Sequence, residues 1–213
     1  MKFYGYFRSS AAYRCRIAFN LKGVAPEFVP VHLRKGEQSA DSFLALNPQG
    51  LVPALETDGH LLTQSLAIIE WLEETKPEPP LLPKSSLDRA HVRALALSIA
   101  CDIHPLQNLR VLRHVKSKFD QDQAGLDLWC RHWIEPGLAA FEATLASSGT
   151  SGTFCFGDTP TLADICLVPQ MFSATRFGAD VSKLAHLQRI MTSCNAHPAF
   201  AAAHPSRQPD ADA

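Results

Sequence analysis

Between Thr75 and Ser86 the chain reads TKPEPPLLPKSS, and its four prolines constrain the fold more than any other stretch. Proline has no amide hydrogen and clashes with the turn before it, so a helix cannot run through this segment. It reads as a linker between two unlike halves. Before it, short apolar runs alternate with segments of helical spacing; beyond it, the spacing is helical almost to the end. The asymmetry predicts an α/β domain over 1–80 and an all-α domain over 87–213, joined by 81–86. With 213 residues, both halves are long enough to have a core.

In the first half, MKFYGYF is an aromatic-rich run that suits a buried strand, and FRSSAAYRCRIAFN (Phe7–Asn20) continues it into a helix. Ser9 or Ser10 would cap that helix. A second strand is expected over Pro26–Leu33 and a short helix over Lys35–Leu46. Leu51–Glu56 and His60–Leu62 read as strands joined by an Asp58–Gly59 turn, followed by a helix over Leu66–Glu74 that begins at Gln64–Ser65. Pro53 is the odd member of its strand; a trans proline at an edge and a cis Val52–Pro53 bond both fit. In the second half, helices are expected over Leu87–Cys101, Pro105–Lys118, Gly125–Ala146, Leu162–Met171 and around Lys183–Ala196. Thr161 and Asp164 stand in capping-box spacing. The tail Pro205–Ala213 is polar, with alanine and proline, and is expected to fray.

Composition removes several function classes. The net charge of −1, with no basic run interleaved with aromatics, gives no reason to expect nucleic acid or an anionic membrane as partner. No apolar run reaches membrane-spanning length and no signal pattern opens the chain, so the cytosol is the default compartment. The six cysteines are scattered without a CxxC pair and read as buried thiols. The nine histidines lack ligand spacing, so no metal is expected.

The chemistry suggested by the first helix is anion binding. A helix that begins at Ser9–Ser10 points unpaired N–H groups and the positive end of its dipole forward, and the serine hydroxyls can donate to a thiolate. Most strand–Ser–Ser–helix junctions are ordinary caps, so the stretch alone does not decide. Its company does. SSAAYRCRIAF (Ser9–Phe19), LNPQGLVPAL, LTQSLAIIEWLEE, IHPLQNLRVL and FGDTPTLADICLVPQ together resemble the zeta class of glutathione transferases, the maleylacetoacetate isomerases. The resemblance covers nearly the whole chain. It implies a thioredoxin-like N-terminal domain, an all-α C-terminal domain, a homodimer and glutathione as cofactor. The activity it implies is cis–trans isomerisation of maleylacetoacetate, with maleylpyruvate as the alternative substrate.

Residue by residue, the resemblance places Ser9 and Ser10 at the glutathione sulfur and the Val52 backbone at its cysteinyl unit. Gln64 and Ser65 fall at its γ-glutamyl carboxylate with Gln49 nearby, and His104, Gln107 and Asn108 fall at the same ligand, though the residues alone fit His104 equally well as a satisfied structural histidine. Ser9 is preferred for the sulfur contact because it is nearer the strand. Arg8, immediately before the serines, can bind a substrate carboxylate through both guanidinium nitrogens. Arg176, read as an arginine among apolar residues, is the second such cation, its alternative being an ion pair with Asp164 or Asp180. Arg110 is a further candidate. Arg14 and Arg16 read as structural charges. The class pattern has a cysteine where this chain has Ala11, which favours glutathione's own thiol, rather than a protein thiol, as the nucleophile. Tyr13 stands where tryptophan is usual. Two competing readings share the fold: glutathione conjugation or dehalogenation of small acids, and a binding module without catalysis. The joint presence of Ser9, Ser10, Gln64 and Ser65 argues against the latter.

Overall fold

The computed structural model describes residues 1–211. In chain order these form β1 (Lys2–Gly5), α1 (Ser10–Leu21), β2 (Glu27–Pro30), α2 (Asp41–Leu46), β3 (Ala54–Thr57), β4 (His60–Thr63) and α3 (Ser65–Thr75). Then come α4 (Ser86–Leu97), α5 (Leu109–Lys118), α6 (Gln123–Ser148), α7 (Leu162–Phe177), α8 (Ala185–Ala196) and α9 (Pro198–Ala203). They fall into two compact units, Met1–Pro80 together with the chain from His197, and Leu81–Ala196. The division differs from the sequence reading at both margins. Leu81 and Leu82, expected in a linker, are 2% and 5% exposed, and Leu81 accepts a hydrogen bond from the Leu162 amide at 3.0 Å.

The first unit is built on a sheet of order β2-β1-β3-β4, with β1 and β2 parallel and the other pairs antiparallel. This is the thioredoxin-like arrangement the resemblance implies. Asp58 (φ 50°) and Gly59 (φ 77°) make the tight turn between β3 and β4 that Asp–Gly favours. Phe3 packs edge-on against Phe19, ring centres 5.0 Å apart, which seats α1 on the sheet. A Cβ on Gly5 would lie 3.1 Å from the rings of Phe3 and Phe28, so this position stays small.

Helix α1 is buried on nearly every side, from Ser10 to Phe19. One cover is α9, which the sequence reading passed over. Phe200 is 1% exposed, Asn20 Nδ2 donates to the Ala199 carbonyl at 2.8 Å, and Arg16 Nε donates to that of Ala203 at 3.1 Å. The segment after it is docked rather than frayed: Pro205 is buried and Asp210 Oδ2 accepts from the Phe7 amide at 2.9 Å. The last two residues of the expected tail, 212–213, lie outside the described residues.

In the second unit the expected helix over Pro105–Lys118 is divided. After α4 the chain passes through a π-helical turn (Ser98–Ile103) and a 3-10 turn (His104–Gln107). Asn108 then goes extended (φ −66°, ψ 145°), and its Oδ1 accepts from the Arg110 amide at 3.1 Å to cap α5. Helix α7 runs past Met171 to Phe177 and stops at Gly178, whose φ of 67° suits a residue without a side chain. Its start is as expected: buried Asp164 accepts from the amide and hydroxyl of Thr161 and from the Cys155 amide, each at 2.8 Å. Among the described residues, no helix is long and apolar enough to cross a membrane.

Candidate functional site

Sheet register decides which segments of the first unit meet. Tyr4 pairs with Ala54 and Ala54 with Thr63, so the exit of β1, the entry to β3 and the exit of β4 lie at one end of the sheet. The segments that emerge there carry Arg8, Ser9, Ser10, Val52, Gln64 and Ser65. Gln49 joins them, because Gln64 Nε2 donates to its Oε1 at 3.1 Å.

Ser9 is the N-cap of α1, and its Oγ accepts from the Ala12 amide at 3.2 Å. Accepting there leaves the hydroxyl hydrogen to be donated outward, so the cap and a thiolate contact are compatible. Ser10 is the first helical residue and is 8% exposed. Arg8 is half-buried, its guanidinium carbon 5.5 Å from the Phe7 ring centre. Its Nε is shielded from solvent without a hydrogen-bond partner. The backbone beneath it is held firmly. Arg16 donates to the carbonyls of Phe7 at 2.9 Å and Tyr6 at 3.4 Å, and Asp210 holds the Phe7 amide. Burial lowers the Arg16 pKa to about 10, which still leaves it charged at neutral pH. Arg16 is thus the structural charge the sequence suggested.

The Val52–Pro53 bond is cis, and β3 begins only at Ala54, so the proline stands ahead of the ladder. The loop before it is pinned by a residue the sequence reading missed. Asn47, 2% exposed, donates to the Leu51 carbonyl at 2.8 Å and accepts from the Gln49 amide at 3.2 Å. The Asn–Pro dipeptide of LNPQG was the available signal. Gln38, buried beside Gly50, was also missed and had none. Gln64 precedes α3 with φ 68° and ψ 117°, a conformation costly for any residue but glycine, and gives the helix no side-chain cap.

The second unit holds the remaining candidates. Gln107 is buried and its Nε2 donates to Gln170 Oε1 at 2.6 Å. His104 opens the 3-10 turn and Asn108 caps α5; Arg110 is exposed on the first turn of that helix. Arg176 is exposed in the last turn of α7, its guanidinium carbon 4.3 Å from the Phe177 ring centre, so the picture of an arginine embedded among apolar residues is corrected. Neither suggested carboxylate pairs with it. Asp164 is committed to the α7 cap, and Asp180 accepts from the amide and hydroxyl of Ser182.

None of the six cysteines is in a disulfide, and five are buried; Cys101, against expectation, is exposed. Burial pushes the Cys130 thiol up to about 12 and raises those of Cys155 and Cys194, which makes them poor nucleophiles. Among the described residues, no group of three or more His, Cys, Asp or Glu could hold a metal.

Comparisons with known proteins agree with this fold. The family described as glutathione S-transferase, N-terminal domain, matches residues 3–80, and glutathione S-transferase, C-terminal domain, matches 124–202. A maleylpyruvate isomerase from Ralstonia is 49% identical over 210 residues, covering 99% of each chain. A solved holo structure of a maleylpyruvate isomerase, described as a bacterial zeta-class glutathione S-transferase, superposes with a TM-score of 0.98 at 48% identity over the full length of both chains. The maleylacetoacetate isomerase of Methylobacterium extorquens AM1, solved with malonate and glutathione bound, has a TM-score of 0.96 at 43% identity, again over both full lengths.

Proposed function

The chain belongs to the zeta class of the glutathione S-transferase family, and from that premise we propose that it isomerises maleylacetoacetate to fumarylacetoacetate with glutathione as cofactor. The observation that carries this reading is the junction Arg8–Ser9–Ser10–Ala11, which offers a cation and hydroxyl donors at the start of α1 but no thiol. The N-terminus of α3, with Ser65 and no side-chain cap, suits the carboxylate of a γ-glutamyl group.

The chemistry that glutathione supplies when bound is a thiolate that adds to the conjugated cis double bond, permits rotation about the resulting single bond, and is then eliminated to leave the trans product. Ser9, with Ser10, donates to sulfur and, together with the α1 dipole, keeps it ionised near neutral pH. Arg8 pairs with a carboxylate of the doubly anionic substrate, and its charge stabilises the negative charge that builds on the substrate during addition. Arg176 and Arg110 are further candidate cations for the diacid, and His104, Gln107 and Asn108 candidate glutathione contacts. A relative solved with both glutathione and malonate, a small diacid, bound supports this pairing of ligands. The protein is cytosolic, homodimeric and works in aromatic amino-acid breakdown on this reading.

A second substrate has its own support: the 49% identity to a maleylpyruvate isomerase favours that shorter maleyl diacid. Spectrophotometric turnover of both compounds, with and without glutathione, is the test. Faster loss of maleylacetoacetate, dependent on glutathione, is expected; equal rates with and without glutathione would sink the mechanism. Light scattering at working concentration checks the dimer.

A further inference from the structure

Arg14 lies on α1, 2% exposed, and its Nη1 donates to Ser65 Oγ at 3.4 Å. Its Nε and Nη2 are equally shut off from solvent and have no hydrogen-bond partner. Among the described residues, no carboxylate pairs with it. A guanidinium stays charged, and burying one without a counter-charge is unfavourable. What it faces makes matters worse, since Ser65 opens α3, where unpaired N–H groups and the helix dipole add further positive potential. Cys15 Sγ also reaches this residue, donating to the Ser65 carbonyl at 3.8 Å. Two positive sources therefore converge on one hydroxyl, with no carboxylate paired to Arg14.

The serine hydroxyl has one hydrogen and two acceptor lone pairs. With Arg14 donating to it from the buried side, its hydrogen is left to point away from Arg14, outward from the start of α3. We propose that Arg14 is a positioning residue that acts through Ser65, orienting this hydroxyl and supplying the buried charge that makes the start of α3 selective for a carboxylate, namely the α-carboxylate of glutathione's γ-glutamyl unit. This rests on the reading that the protein binds glutathione.

Calorimetric titration of the full chain with two ligands tests it: glutathione, and 4-aminobutyryl-cysteinyl-glycine, which lacks only that carboxylate. Arg14→Met is expected to weaken glutathione by about tenfold or more, the scale of one charge-assisted hydrogen bond, and the analogue by less than about twofold. Ser65→Ala should narrow the same preference, and the double variant should narrow it no further than Ser65→Ala does. Arg14→Lys, which keeps a cation, should restore most of the preference. Should Arg14→Met not fold, Arg14→Gln, which keeps a donor without the charge, is titrated with the same pair and should lose the preference. Equal losses on both ligands, or additive effects in the double variant, overturn the proposal. If the wild type binds no glutathione, the underlying reading falls with it, so the wild-type titration and the variants report on separate claims.

Discussion

Ser9 does two jobs with one hydroxyl, and removing it separates them. As N-cap it accepts the Ala12 amide, so Ser9→Ala should cost about 1 kcal/mol of stability in a urea titration. As sulfur donor its loss should lower kcat/KM by roughly a hundredfold, the scale of losing one donor to a developing anion, with a raised thiol pKa in the glutathione complex visible by ultraviolet absorbance. A stability loss without the pKa change would leave Ser9 as a cap alone. Arg8, with its Nε shielded and unpartnered, should show a different signature. Arg8→Met is expected to raise KM for the maleyl diacid by about 10- to 100-fold while binding of glutathione by calorimetry holds within about twofold. The Ser9 cap was legible in the sequence, and both residues could be proposed from it, because their grounds are local: a cap is read from adjacent positions, and a cation before it from the next. Arg14 was read only as a structural charge, because its meaning lies in Ser65, 51 positions away.

Elements rather than residues explain why some boundaries were missed. Asn108 and Pro105 lie within one apparently periodic run, yet the asparagine takes an extended conformation and starts a new helix, so periodicity alone joined two elements. The start of α7 was legible because a capping box is a local pattern; the start of α8 was not, because its anion comes from another helix. Glu142 on α6 accepts from the amides of His186 and Leu187 and meets His186 Nδ1 at 2.8 Å. Burial pushes its carboxyl up, but the hydrogen bonds from His186 and Leu187 outweigh that and hold it below the usual range. A carboxyl whose folded pKa is lowered stabilises the fold above its unfolded value, about 4.3, and loses that contribution as pH falls through the folded one. Glu142→Gln should therefore be less stable than wild type by roughly 1 kcal/mol at neutral pH, and the gap should close as acid is added below about pH 4.3. Urea midpoints of both proteins at several pH values measure it, and a gap indifferent to pH would refute the assignment.

At the scale of the molecule, the chain's order is not the order of its units. The proline-rich segment correctly marked a change from strands and helices to helices alone, but nothing local in PAFAAAHPSRQPD says that it returns to the first unit. Only the burial of α1 on nearly every side demands such a cover, and that demand appears once α1 is seated. The return also bears on the candidate site, since Ala203 is held by Arg16 and Asp210 holds the Phe7 amide, one residue from Arg8. Phe200, 1% exposed, is the apolar anchor of this cover. Phe200→Ala should cost about 3–5 kcal/mol, the range for a buried phenylalanine. Hydrogen exchange locates the loss. Amides of α1 should exchange faster in the variant, while those of α6, which belongs to the other unit, should change much less. Glutathione-dependent activity should fall with α1 protection, because the cap at Ser9 and the backbone at Arg8 depend on that helix keeping its place. Uniform acceleration across both helices would instead mean that the chain opens as one cooperative body and that the C-terminal return has no separate hold on the first helix.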